Sequence, residues 1–544
     1  MSQIRVFLLG LDGATWKVIS RFIQRGSLPN LARLLEQGTS GVLNSTIPYL
    51  TPVAWASLLT GVGPAKHGIF GYNVMKNSDG IVSGSLANRS KIKVATVMDI
   101  YAQLGRKVIS INVPMTYPPR PHDGIIITGL MTPSRESRFY HPPDLLTELS
   151  AQGIDYRIDI SAARDESTDL NERLNAYLAD GGKRFFDDLR NVTHQRHRAV
   201  LYLLENKPWD LFQVNFITMD RIQHYLWKHI WDESAPALDQ INEQFNLIDS
   251  IVGEIYERVK DKAVLVICSD HGFGDYSGNF YPVVWLKQQG YYFEKTSHEV
   301  TSLARRLARR LGITGKVRRL LERSKSTSVK ELVFKGISNV AWEKTRAYVY
   351  STSGIRINLR GRDQYGIVEP GSEYESLRAE LREKLLALTD EHGERVIKAV
   401  HYAEDLYGVA NLEEEPDLMF EFKDDHFYTT YYTVTDAPHW FDKGYTWRQG
   451  DHRRDGIILL IGDGICKDKR ITAEIQDVLP TILFIQDLPQ SDNFDGQVIL
   501  EAFESSFIEQ RKQPPPRSFS REAIEVSDEP SDEVIDRLKG LGYI

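Results

Sequence analysis

Apolar residues along this chain gather in short continuous runs at 6–11, 108–113, 124–128, 211–217, 263–268 and 456–461. Each run is too brief for a helix and rich in β-branched residues, as expected of a strand covered on both faces. Between the runs, helical periodicity covers 54–59, 92–104, 170–204 and 241–259. Strands alternating with helices predict an α/β fold, a layered sandwich around a mostly parallel sheet. After residue 347 the pattern resumes, with an apolar stretch at 348–359, a helix over 373–388 and another apolar stretch at 416–422.

The segment 291–342 breaks this rhythm. Between residues 303 and 330 it holds ten Lys or Arg and one acid, a local balance of +9 in a chain whose net charge is −8. Leu303, Leu307, Leu311, Val317, Leu320 and Leu321 fall at helical spacings, so the segment reads as an inserted basic helical lobe. The expected division is therefore a core at 1–290, the lobe at 291–342, the core continued at 343–508, and a linker with a short helix at 509–544. Pro514, Pro515 and Pro516 mark that linker. Arg305, Arg306, Arg309, Arg310, Arg318 and Arg319 read as a solvated face, a cap that draws in anionic substrates, or a contact for an anionic surface.

Composition narrows the class. With 42% hydrophobic and 26% charged residues over 544 positions, the chain is neither disordered nor fibrous, and its length allows a large core. Net negative charge argues against general nucleic-acid binding. Two cysteines, Cys268 and Cys466, imply no disulfide framework. No stretch is long and apolar enough for a membrane helix, and Asp12 ends the first apolar run before any cleavage-site pattern, so a buried strand and a cytoplasmic address are expected.

Chemistry concentrates where the runs end. The run at 6–11 leads into Asp12, the run at 211–217 leads to Asp220, and the run at 263–268 leads to Asp270 and His271. In a parallel sheet these positions share one edge, the edge where ligands bind. Asp220 and His224 are four apart, on one face if helical. A mixed Asp/His set suits zinc or manganese better than calcium, and His452, just before a strand, could complete it. Any one of these residues alone is more often a cap, a surface acid or a core histidine; several at strand ends weaken that alternative. Thr51 precedes Pro52 and an apolar helical stretch. Its hydroxyl is either a helix cap or a nucleophile at a positive helix end, the latter requiring activation by a metal.

Together these residues resemble the alkaline phosphatase superfamily, in particular its type I phosphodiesterase/nucleotide pyrophosphatase branch. The order matches: Asp12, Thr51 with a helix closing at Thr60-Gly61, Asp220 and His224, Asp270 and His271, then His452. The segments HGIFGYN, NVPMTYPPRP and GDHRRDGIILLIG are similar to bacterial and archaeal members. The resemblance implies two divalent metal ions, zinc with manganese as the alternative. Asp220, His224 and His452 would hold one; Asp12, Asp270 and His271 would hold the other, with Thr51 bound to it. It implies a phospho-threonine intermediate and a phosphoester substrate, a nucleotide or another diester. The alternatives are a phosphomonoesterase, a phosphonate hydrolase, or a binding protein that keeps its metals without turnover. Trp55, Tyr72, Asn112 and Tyr117 are candidates to line the substrate side, Trp55 equally for the core, and His67 is expected to make a structural hydrogen bond. One departure stands out. Many members of the branch have an asparagine not far from the nucleophile, donating to a phosphate oxygen; Pro52, Val53, Ala54 and Trp55 offer no amide, so the donor comes from elsewhere or the substrate differs.

Overall fold

A computed structural model describes residues 4–78, 81–121, 124–134, 137–160, 170–295, 340–408, 415–430, 437–444, 447–523, 534–535 and 538. The basic lobe falls, apart from its first and last residues, on 296–339, outside the described residues, and its six arginines with it. Most of the expected C-terminal helix lies outside them too.

The chain forms two units. The first comprises Met1–Tyr72, Ala87–Asp275 and Thr446–Leu541; the second comprises Asn73–Leu86, Tyr276–Tyr445 and Gly542–Ile544. In the first unit the strands are β1 (Arg5–Leu11), β2 (Thr39–Asn44), β3 (Val108–Val113), β4 (Ile125–Thr128), β5 (Tyr140–His141), β6 (Leu211–Phe216), β7 (Ala263–Cys268), β8 (Gly272–Asp275), β9 (Gly450–Arg453), β10 (Asp455–Ile461) and β11 (Lys469–Glu474). Nine of them form one sheet in the order β11-β2-β10-β7-β1-β6-β3-β4-β5. The five strands from β7 to β4 run parallel, while β10 and β5 run against their neighbours. This is the expected α/β architecture with a mostly parallel sheet, an alkaline phosphatase-like fold. β3, β6 and β7 are buried at every position, which explains why the sequence shows them as unbroken apolar runs.

Several boundaries differ from the sequence reading: the helix expected over 92–104 is Val97–Gln103, and two other stretches are split. The helical stretch at 170–204 is two helices, Leu170–Tyr177 and Ala179–Asn206, and the stretch at 348–359 is a hairpin, Ala347–Ser351 with Gly354–Ile357. Both breaks are local events that a hydrophobic pattern passes over. In the second unit the hairpin joins Leu418–Phe422 and Ile397–Tyr402 in an antiparallel four-stranded sheet. Among the described residues no helix is long and apolar enough to cross a membrane.

Candidate metal centre

Sheet topology assembles the site. β1 lies between β6 and β7, parallel to both, so the three carboxyl ends share an edge. β1 delivers Asp12, and β7 delivers Asp270 and His271. After β6 comes the helix Thr218–Trp231, with Asp220 in its first turn and His224 one turn later on the same face. His452 arrives from the other direction. β8 pairs antiparallel with β9, setting Phe273 opposite His452, before β10 returns along β7. Gly13, with φ at 66°, turns the chain beside Asp220, where a Cβ would stand 3.2 Å from the Asp220 backbone.

Each carboxylate is held by one oxygen and presents the other. Asp12 Oδ2 accepts from Asn215 Nδ2 at 2.8 Å, Asp220 Oδ2 from the Arg221 guanidinium, and Asp270 Oδ1 from the Gly13 N–H at 3.3 Å. The other three oxygens, Asp12 Oδ1, Asp220 Oδ1 and Asp270 Oδ2, are buried without a hydrogen bond. The imidazoles repeat the arrangement. Nδ1 of His224, His452 and His271 faces the carbonyls of Gly450, Tyr49 and Gly272 at 3.2, 3.2 and 3.1 Å. Donation to a carbonyl puts the proton on Nδ1 and leaves Nε2 as a lone pair.

These inward-facing atoms converge. Asp220 Oδ1 lies 3.3 Å from His224 Nε2 and 3.5 Å from His452 Nε2, and the two Nε2 atoms are 3.1 Å apart. His271 Nε2 lies 3.4 Å from Asp270 Oδ2 and 3.7 Å from Asp12 Oδ1. Three triads have ligand atoms within 4.8 Å of one another: Asp12, Asp270 and His271; Asp220, His271 and His452; and His224, Asp451 and His452. So many inward lone pairs repel one another in a dry interior and are stabilised around divalent cations. The donor set therefore fits a metal centre.

The electrostatics agree. Burial, with the charges of Asp270 and Asp220, pushes Asp12 well above the usual carboxylate range. Burial and Asp220 raise Asp270 to about 7. Burial lowers His224 to about 4 and, with His452 beside it, takes His271 far below the ordinary imidazole value. Asp220 differs: burial alone would raise it, but His224 and Arg221 hold it well below.

Thr51 is the first residue of the helix Thr51–Thr60, with Leu50 at the cap position and no side-chain cap. The capping role open to it from sequence is therefore not the one it takes. Its Oγ1 lies 3.3 Å from His271 Nε2, and the Tyr72 hydroxyl donates to it at 3.4 Å. Of the other substrate-side candidates, Trp55 is fully buried against Gly10, where a Cβ would meet its ring at 2.9 Å. Asn112, in a left-handed conformation at the end of β3, donates to the Asn215 carbonyl and accepts from Tyr156. Tyr117 is buried, its carbonyl accepting from the Arg89 N–H. His67 is a buried structural histidine bonded to Ser57 at 2.9 Å. The sequence reading missed Asn215, Arg221 and Asp159, which clamps Arg221 at 2.7 Å. Asn215 did leave a signal, as one of two polar residues, with Gln213, in a short strand bounded by apolar positions.

Comparison with known proteins gives a family and structural likenesses. The sequence model of the family described as type I phosphodiesterase / nucleotide pyrophosphatase matches residues 6–455. The structure is similar to phosphonoacetate hydrolase from Sinorhizobium meliloti in complex with phosphonoformate, at 14% identity and a TM-score of 0.51, covering 86% of this chain and 91% of that one. Human ectonucleotide pyrophosphatase / phosphodiesterase 5 matches at 12% identity and a TM-score of 0.49, covering 92% of this chain and 100% of that one.

Proposed function

The chain belongs to the type I phosphodiesterase / nucleotide pyrophosphatase family, and from that premise we propose that it is a phosphodiesterase using Thr51 as nucleophile at a site for two divalent cations. The family's chemistry is metal-dependent hydrolysis of phosphoesters, and this chain is a hydrolase of that kind. In the proposal Asp220, His224 and His452 hold one cation, and Asp12, Asp270 and His271 hold the other. The observation that carries it is the Thr51 hydroxyl, uncapped at a helix start, beside His271 and the bare carboxylate oxygens. The mixed imidazole and carboxylate donors favour zinc, with manganese next.

When bound, the cations would lower the Thr51 hydroxyl's pKa and offset charge on the leaving oxygen. Thr51 Oγ, its proton released to solvent, attacks phosphorus; the Oγ–P bond forms as the bond to the leaving alkoxide breaks, and that alkoxide takes a proton from water. A second water then cleaves the Oγ–P bond, returning a proton to Thr51. The positive end of the Thr51–Thr60 helix favours the phosphoryl group throughout.

Among the described residues, the cations flanking the site support a diester over a monoester. Arg221 is tied to Asp159 and Asp220, Arg448 to Asp451 at 2.8 Å, and Arg453 to the carbonyls of His452 and Asp275. These flanking cations already serve the protein, whereas a monoester dianion would call on one of them.

The test is turnover of bis-p-nitrophenyl phosphate and p-nitrophenyl phosphate by wild type and Thr51→Ala, with zinc, with manganese and after chelation. Diester turnover that disappears in Thr51→Ala and on chelation is expected. Preference for the monoester would replace this reading with a phosphomonoesterase, and metal binding without any turnover would replace it with a binding protein.

A further inference from the structure

The segment after the nucleophile helix is built around two contacts with that helix. Gly61, in a left-handed conformation, ends the helix with its N–H on the Ser57 carbonyl. A short helix, Pro64–His67, follows and ends at Gly68. His67 Nδ1 accepts the Ile69 N–H at 3.1 Å, so Nε2 carries the proton and donates to Ser57 Oγ at 2.9 Å. In that tautomer His67 cannot take a proton from Ser57, so the pair is a strut and not a nucleophile with its base. The strut fixes the segment to the same helix that begins at Thr51. Five residues later the chain returns to that beginning: Tyr72 is 1% exposed, its carbonyl accepts from the Ala87 N–H at 2.8 Å, and its hydroxyl points to Thr51 Oγ1.

We propose that Tyr72 is a catalytic residue, its phenolic O–H supplying the hydrogen bond to the reacting oxygens that the residues following Thr51 lack. The proposal rests on Thr51 being the nucleophile. As Oγ gains negative charge and then joins phosphorus, a donor already aimed at it stabilises the charge without reorganising, and no proton need change hands. The resting separation of 3.4 Å is long for a hydroxyl pair, and such contacts tighten as charge develops on the acceptor. A phenol also differs from an amide in offering one donor, which the structure aims at Oγ.

The experiment compares wild type, Thr51→Ala, Tyr72→Phe, and a protein with 3-fluorotyrosine placed at position 72 alone. Kinetics on bis-p-nitrophenyl phosphate are measured at matched, quantified metal content. Tyr72→Phe keeps the ring and should keep metal content, melting temperature and KM, while kcat falls about 10²-fold, the usual loss for one such donor. The fluorinated phenol, a stronger donor, should hold kcat at or above wild type. A Tyr72→Phe kcat within about twofold of wild type, with Thr51→Ala inactive, would overturn the role of Tyr72 and leave Thr51 standing. If Thr51→Ala retains turnover, the nucleophile reading itself falls. Equal losses in Tyr72→Phe and the fluorinated protein would make Tyr72 a packing residue and overturn the proposal.

Discussion

Asp270, raised to about 7 by burial and the Asp220 charge, must lose its proton before it can bind a cation, and Asp12 is raised in the same sense. Both acids hold protons in the folded metal-free protein that the unfolded chain releases at its ordinary carboxylate value. Their ionisation therefore costs stability as pH rises through about 7, and a bound cation reverses that cost. Zinc binding to the metal-free protein should release more protons at about pH 6 than at about pH 8.5, read by calorimetry in buffers of different ionisation enthalpy. Release that does not change with pH would mean these carboxyls are not the ligands. Arg221 sets the presentation of Asp220, tying Oδ2 so that Oδ1 faces the imidazoles. Arg221→Leu should weaken metal binding about 10–100-fold in chelator competition, because residues that orient ligands usually carry that much affinity. It should also destabilise the fold by about 3–5 kcal/mol, since the buried Asp159 and Asp220 lose the cation they share. The Asp and His residues themselves were legible in the sequence because they stand where apolar runs end. Their tethers were not: Asn215 and Asp159 belong to other segments and become partners only in space, and Arg221, next to Asp220 in sequence, shows its role only once Asp159 holds it.

At the scale of elements, the helix Thr51–Thr60 is buried at all ten positions, so its place is fixed by packing as much as by hydrogen bonds. The His67 strut adds a polar tie to that packing. His67→Leu should lower stability by about 1–3 kcal/mol near neutral pH, because Ser57 Oγ and the Ile69 N–H lose a buried partner. Burial and Lys93 lower His67 to about 3, so the folded protein keeps it neutral while the unfolded chain takes up a proton below about 6.5. The wild-type contribution is thus full above that value and declines as pH falls toward about 3, and the deficit of His67→Leu should narrow over the same window. Denaturant titrations of both proteins across that range test it; a deficit that widens on acidification would reverse the assigned protonation state. The strands of the central sheet could be read from sequence because burial on both faces erases polar alternation. The hairpin at Ala347–Ser351 and Gly354–Ile357 was not read, because its connection, Thr352-Ser353, is only two residues between two apolar strands.

For the whole molecule, the six proposed ligands are drawn from residues 12 to 452, so the site they would form exists only in the folded chain. At a free-metal level of about 1,000 times Kd, one such site adds about 4 kcal/mol to stability. Chelation should accordingly lower the melting temperature of wild type, and lower it less in His452→Ala, where one ligand is already missing; equal shifts would place the metal elsewhere. The sequence by itself determined the fold class and the identity of the Asp and His residues, through patterns that are local: unbroken apolar runs, polar residues at their ends, and the four-residue spacing of Asp220 and His224. Only the tertiary structure decided that β1 sits between β6 and β7, and that β9 brings His452 back to their shared edge. It also decided which oxygen of each carboxylate is left bare and that the Thr51 hydroxyl turns to His271 and Tyr72 instead of capping its helix. The reason is physical: periodicity records which side of an element is buried, whereas hydrogen-bond direction and strand order depend on partners hundreds of residues away along the chain.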